Sequence, residues 1–261
     1  MTMLIPFQPG ADASASDPSS VLGKVRLILE SFTADSQELS LTELVRRSGV
    51  AKATVHRLAT ELVAWGLLER AGTRYRLGLR LFELGQIVPR QRILREAALP
   101  YMQDLIAATG ETIHFAIREG LDIMYVEKII GHRGLKQESR VAGRMPLYCT
   151  ATGKALLAFS PASLLEQVIA HGLTPVTRHT ITSPALLRTQ IERIRGEGIA
   201  TESEELRLGY MSMAMPVFGR RSALAGAVSV TAPTVRMNTA RFAGALRAAS
   251  AGITRTLQVM S

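Results

Sequence analysis

Apolar positions along the chain change period several times, and each change marks an element. Leu22, Val25, Ile28, Leu29 and Phe32 recur at helical spacing, with Ser19 or Ser20 placed to cap that helix. After a polar gap, TADSQE, the run Ser40-Leu41-Thr42-Glu43 has the form of a capping box: the Ser oxygen meets the third backbone amide and Glu43 reaches back. Leu41, Leu44 and Val45 give this second helix an apolar side, and Gly49 suits the left-handed cap that ends it. A third helix starts near Ala51, with Val55, Leu58, Ala59 and Leu62 on one face and Ala53, His56, Arg57, Thr60 and Ala64 opposite. Gly66 stops it. The period then falls to two: short strands at 67–70 and 74–77 turn about Ala71-Gly72-Thr73, with Tyr75 and Leu77 on one face and Arg74 and Arg76 on the other.

Two helices across a tight turn, followed by a basic hairpin, form the layout of a winged helix-turn-helix, whose second helix enters the DNA major groove. The small and polar face of the third helix suits that groove, where a large apolar side chain would be out of place. Lys52 and Thr54 flank the helix N-terminus, where free N–H groups and the dipole favour phosphate. Arg74 and Arg76 are poised for phosphates or a minor groove. The expected DNA-binding set is therefore Lys52, Ala53, Thr54, His56, Arg57, Thr60, Arg74 and Arg76.

Residues 1–18, with three prolines and ADASASDP, are expected to be a flexible tail, and 19–78 the winged domain. The segment LRLFELGQIV, apolar on several faces, predicts a linker helix that packs on a neighbour, such as the same helix of a second subunit; the linker is assigned to 79–95. Pro89 should break it, and a longer helix should run to about residue 109, interrupted or bent at Pro100 and stopped by Gly110. From 96 to 261 strand and helix signals mix. A hairpin is predicted at 112–118 and 121–130, with residues 135–141 able to continue its sheet. Helices are predicted at 152–159 and 162–171, and a third opens at Ser183-Pro184 with Leu186, Leu187, Ile191 and Ile194 inward. Strands follow at 199–204, 211–218 and 224–231, then a C-terminal helix capped by Asn238 or Thr239. Strands joined by hairpins and interspersed with helices argue an α+β fold with a mostly antiparallel sheet.

Charge sharpens this division. Of a net +9, a surplus of five falls between Ser40 and Arg80, where eight basic residues face three Glu. That suits a nucleic-acid footprint. No apolar run reaches the roughly 20 residues of a membrane helix, and the first residues lack a basic leader, so a cytoplasmic protein with no membrane partner is expected. Cys149 stands alone in an apolar context and is expected to be a buried, inert thiol. The five histidines lack metal-ligand spacing, so no metal site and no cofactor is expected. Thr152-Gly153-Lys154 lacks the full phosphate-loop pattern, which leaves Lys154 to secure its own helix. Glu202, Glu204 and Glu205 either pair with a cation or form a solvated strand face, and Met211, Met213 and Met215 alternate as a row expected to pack in the core.

Three stretches together resemble the IclR-type transcriptional regulators: SLTELVRRSGVAKATVHRLATELVAWGLLE, then MPLYCTATGKALLAF at 145–159, then GIATESEELRLGYMSMAMPVF with ALAGAVSVTAPTVRM. The resemblance runs from about residue 20 to the end. It implies a C-terminal GAF-like domain that holds a small-molecule effector, and a homodimer or homotetramer whose winged domains pair on a (pseudo)palindromic double-stranded operator. It also implies an effector pocket at Met145, Ala151, Thr152, Glu202, Tyr210, Ser212, Ser229 and Thr231. Physically, residues 151–153 open a helix whose amides can receive a carboxylate, while Ser229 with Thr231 and Tyr210 with Ser212 alternate on strand faces. A small carboxylate-bearing effector, aromatic or not, is expected of a regulator of a catabolic operon. Glu202 would repel an acid unless water or hydrogen bonding intervened, which keeps an amide or hydroxyl ligand open.

An enzyme with an appended DNA-binding domain is the competing class, and a domain that only binds a partner protein is a third. Catalysis would need a nucleophile with its base or clustered acid–base groups. The expected pocket offers hydroxyls and one carboxylate without a paired His, so no catalytic residue is assigned. Whether the regulator represses or activates is not legible in these residues.

Overall fold

A computed structural model describes residues 17–132 and 139–260, so most of the expected tail lies outside the described residues. The chain divides into two compact units at Pro89/Arg90.

The first unit contains α1 (Val21–Glu30), β1 (Glu38–Ser40), α2 (Leu41–Ser48), α3 (Lys52–Ala64), β2 (Leu68–Ala71), β3 (Arg74–Leu77) and α4 (Leu79–Gln86). Ser20 caps α1 through its side chain. The capping box of α2 is complete, and Gly49 ends that helix at φ 69°. Ile28, Leu44, Val55, Leu58, Ala59 and Leu62 close the three-helix core over Leu39, Leu68 and Tyr75 from the sheet. That sheet has three strands in the order β1-β3-β2. The first of them lies just after the polar gap: only Leu39 turns inward, and the strand exists because it pairs with residues far along the chain, Leu39 opposite Tyr75. Leu77, on the same strand face as the buried Tyr75, is half exposed, because it pairs with Leu68 at the end of the hairpin. Gly78 lets the chain leave the wing, since a Cβ there would stand 2.0 Å from the carbonyl oxygen of Gly66.

The segment assigned as linker, 79–95, spans two helices, with a break where Pro89 leads one to expect it. Residues 87–88 interrupt it, and Pro89 opens the next helix instead of merely ending the last. A first-turn proline loses no hydrogen bond, and its φ is already helical. That next helix, α5 (Pro89–Thr109), runs through Pro100 without interruption to Gly110 at φ 75°.

The second unit continues with β4 (Thr112–Glu119), β5 (Asp122–Ile129), β6 (Arg144–Pro146), α6 (Ala151–Ala158), α7 (Ala162–His171), α8 (Pro184–Glu197), β7 (Ala200–Ser203), β8 (Tyr210–Phe218), β9 (Leu224–Pro233) and α9 (Thr239–Met260). Six antiparallel strands lie in the order β6-β5-β4-β9-β8-β7. The edge strand is residues 144–146. Of the expected strand at 135–141, residues 135–138 lie outside the described residues and 139–141 are not extended into the sheet. Asn238 accepts from the Arg241 amide at 3.0 Å and so caps α9. Leu187, Ile191 and Ile194 of α8 are buried, whereas Leu186 is 62% exposed, one residue off the inward stripe.

Strand alternation gives the sheet two different faces. One carries Ile113, Phe115 and Ile117 of β4, Met213, Met215 and Val217 of β8, and Val228 and Val230 of β9, packed under α5 and α9. Of the Met row, Met213 and Met215 are core, whereas Met211 at the strand start is only half-buried. The other carries Thr112, His114 and Ala116, then Ser212 and Ala214, then Ala227, Ser229 and Thr231. Small side chains on neighbouring strands cannot fill the space beneath α6, and a hollow results. Among the described residues no helix is long and apolar enough to cross a membrane.

Candidate functional site

On the winged unit, Lys52, Ala53, His56, Arg57 and Thr60 are exposed on one side of α3 and Thr54 is half-buried. Ala51 precedes the helix without a side-chain cap, so the first-turn amides keep their donors for an outside acceptor. Arg57 holds Glu61 at 2.6 Å with both side chains exposed, and Thr60 bonds back to the carbonyl of His56 at 2.9 Å. The wing arginines are already partnered. Arg74 bridges the Glu43 carboxylate at 2.8 Å and the Glu38 carbonyl at 2.9 Å, while Arg76 holds Glu69 at 2.8 Å. Both nevertheless remain about half exposed, at 43% and 52%.

In the second unit a cavity of about 460 Å³ lies on the small-residue face of the sheet. Met145, Ala151, Thr152, Glu202, Tyr210, Ser212, Ser229 and Thr231, scattered over 87 positions of the chain, all line it. Cross-strand register explains the convergence: Glu202 stands opposite Ser212, and Ser212 opposite Thr231. Thr150 caps α6, accepting from the Gly153 amide at 3.1 Å, which leaves the Ala151 and Thr152 amides without a partner inside the helix.

Further wall residues carried no signal as a set. His114 follows from the polar face of an otherwise apolar strand. Its ring lies 4.6 Å from that of Tyr125, and its Nε2 is 2.9 Å from Ser139 Oγ, while Nδ1 is buried with no partner among the described residues. Burial, helped by Lys128, lowers His114 to about 3, so the ring is neutral near pH 7. Burial, with nearby Glu202 and Cys149, raises the Tyr125 phenol, which meets Thr152 by a hydrogen bond. The loop between β7 and β8 supplies Leu206, Arg207 and Leu208 to the rim, with the Arg207 guanidinium 4.6 Å above the Tyr210 ring.

Behind the wall lies a buried polar network. Ser212 Oγ donates to Glu202 at 2.8 Å and lies 3.0 Å from Thr231 Oγ1, and the Glu205 amide donates to Glu202 at 3.1 Å. Lys154, expected to secure its own helix, is instead fully buried and ion-paired with Glu205, 51 residues on. Burial lowers Lys154, and the Glu205 carboxylate opposes that shift. The three glutamates thus divide: Glu205 pairs with a cation, Glu202 faces the cavity, and Glu204 accepts from the Gly209 amide. Burial raises Glu202 to about 7, against the pull of Ser212. Cys149 is buried, and burial raises its thiol.

Known proteins share both halves. The family model of the bacterial transcriptional regulator IclR C-terminal domain matches residues 86–255, and that of the IclR helix-turn-helix domain matches residues 21–72. The HTH-type transcriptional regulator KdgR of Escherichia coli K12 is 33% identical over 234 residues, 88% of each chain. XynR, an HTH-type transcriptional regulator of the same organism, is 31% identical over 83% of this chain and 87% of its own. Among solved structures, an IclR homologue from Microbacterium hydrocarbonoxydans complexed with 4-hydroxybenzoate superposes with a TM-score of 0.87 at 28% identity, covering 92% of this chain and all of that one. The chain belongs to the IclR family of bacterial transcriptional regulators.

Proposed function

We propose that this regulator senses a small aromatic carboxylate in the cavity of its second unit and thereby changes its affinity for an operator in a catabolic operon. The observation that carries the reading is the convergence of eight separated residues on one hollow of about 460 Å³, inside the roughly 300–1,000 Å³ range of small-molecule sites. Donors suited to a carboxylate are present in the α6 amides and in the hydroxyls of Ser229 and Thr231. Met145 and Leu206 provide apolar wall for a ring, and His114 on the same wall is neutral. Binding of 4-hydroxybenzoate by the Microbacterium homologue supports the same class.

DNA contact is assigned to Lys52, Ala53, Thr54, His56, Arg57 and Thr60 on α3, with Arg74 and Arg76 on the wing. The protein works as a cytoplasmic homodimer or homotetramer. Supporting this, Leu79, Phe82 and Ile87 on and just after α4 are 63%, 63% and 71% exposed, an apolar surface suited to a second copy. The effector acts by binding two arrangements of the protein unequally.

The test is an operator-binding assay on the DNA upstream of the protein's own gene, with and without 4-hydroxybenzoate, benzoate and their amides. A shift in affinity with the acids supports the reading. Operator binding that no acid or amide alters, together with no ligand-induced rise in melting temperature, overturns the sensing half.

A further inference from the structure

Two carboxylates and one ammonium are buried in and just behind the cavity wall among the described residues. Glu202 and Glu205 are each 4% exposed, and among the described residues Lys154, the buried ammonium of α6, is ion-paired with Glu205. Glu202 is left with neutral partners: the Ser212 hydroxyl at 2.8 Å and the Glu205 amide at 3.1 Å. The titratable groups near Glu202 among the described residues are Glu205 on the following loop, Lys154 on α6, Cys149 just before α6, and Tyr125 on β5. His114, on the same wall, is neutral. Arg207 is the one guanidinium among the described wall residues, and it lies exposed at the rim over Tyr210.

An organic acid held by the α6 amides adds another carboxylate to this space. Two carboxylates that share an enclosed site do not both stay ionised; one takes up a proton. Lys154 cannot relieve the repulsion, because leaving Glu205 would strand a second buried charge.

We infer that Glu202 is the specificity-determining residue of the cavity: it is protonated when the ligand is bound and donates its carboxyl O–H to the ligand carboxylate, so the pocket takes an organic acid as anion plus one proton. This deepens the proposed function and rests on it. The proton comes from solvent, and no covalent bond changes. In the free protein Glu202 titrates at about 7, so that proton is readily supplied at neutral pH. A neutral amide needs no proton, and selectivity for acid over amide therefore falls as pH rises.

The test is calorimetric titration of the full chain with 4-hydroxybenzoate and with 4-hydroxybenzamide, in buffers of different ionisation enthalpy between about pH 6 and 8. Uptake of close to one proton per acid is expected at the alkaline end, with acid affinity falling about five- to tenfold from pH 7 to 8 and amide affinity flat. E202Q should bind the acid with no proton uptake. Heats independent of buffer at the alkaline end overturn the inference, as does uptake that persists in E202Q. The wild-type buffer series decides even if E202Q misfolds. No heat from either ligand at any pH overturns the ligand class itself, and this inference with it.

Discussion

Charge is arranged in opposite ways at the candidate sites of the two units. Among the described residues of the winged unit the ion pairs are exposed: Arg57–Glu61 at 58% and 44%, Arg74–Glu43 at 43% and 36%, Arg76–Glu69 at 52% and 37%, Arg80–Glu83 at 55% and 52%. Such pairs are weakly held in water, and a phosphate can take the carboxylate's place at little cost. In the effector unit Lys154–Glu205 and the carboxylate of Glu202 are enclosed, where an unmatched charge is costly. The first arrangement keeps cations ready for exchange. The second sets a fixed electrostatic frame around a hollow, and the contrast can be broken by mutation.

The largest effect is expected from Lys154→Met, which strands Glu205. It should destabilise the effector unit by about 3–5 kcal/mol, read by denaturant unfolding, whereas Arg76→Ala in the winged unit should leave its midpoint nearly unmoved. Equal effects would erase the distinction. Next comes the pH dependence of Glu202. Its folded value, about 7, lies above its ordinary 4.5, so the native state holds this proton more tightly than the unfolded chain. Stability from this group is therefore full below about pH 4.5, is lost as pH rises through 7, and falls by at most about 3 kcal/mol. Glu202→Gln should lack that slope; an identical stability profile in the two proteins would reject the assignment. Arg57→Ala should weaken operator binding about tenfold or more and leave ligand affinity intact, and loss of both would couple the units. The smallest effect is expected from Ser40→Ala. Removing the capping oxygen should cost about 1 kcal/mol, seen in the melting of the winged unit with ligand binding unchanged.

Legibility follows the same divide. The winged unit is written in neighbours: Ser40 with Glu43, Val55 with Leu58 and Leu62, Gly49 at its turn. Its missed strand, β1, depends on Leu39 finding Tyr75, and no local pattern announces that. The effector unit hides more because its decisive pairings are distant. The edge strand at 144–146 forms because Met145 pairs with Ile123. Lys154 follows Thr-Gly in a helix whose eight residues are all buried, and nothing within a turn of it points to Glu205. The eight pocket positions were available through the family resemblance. Their common face could be seen in the alternation of Ser212 with Met213 and of Ser229 with Val230. Arg207 and Leu208 belong to an irregular loop, where periodicity carries no information.

That alternation has an evolutionary consequence. On β8 and β9 the cavity-lining Ser212, Ser229 and Thr231 are followed by the core residues Met213, Val230 and Ala232, so mutations there sort by parity. A change at Ser212, Ser229 or Thr231 alters the lining of the hollow while the Met213 and Val230 layer stays packed. Single replacements can therefore accumulate in a lineage carrying this sheet, reshaping the hollow while the core of the fold is kept.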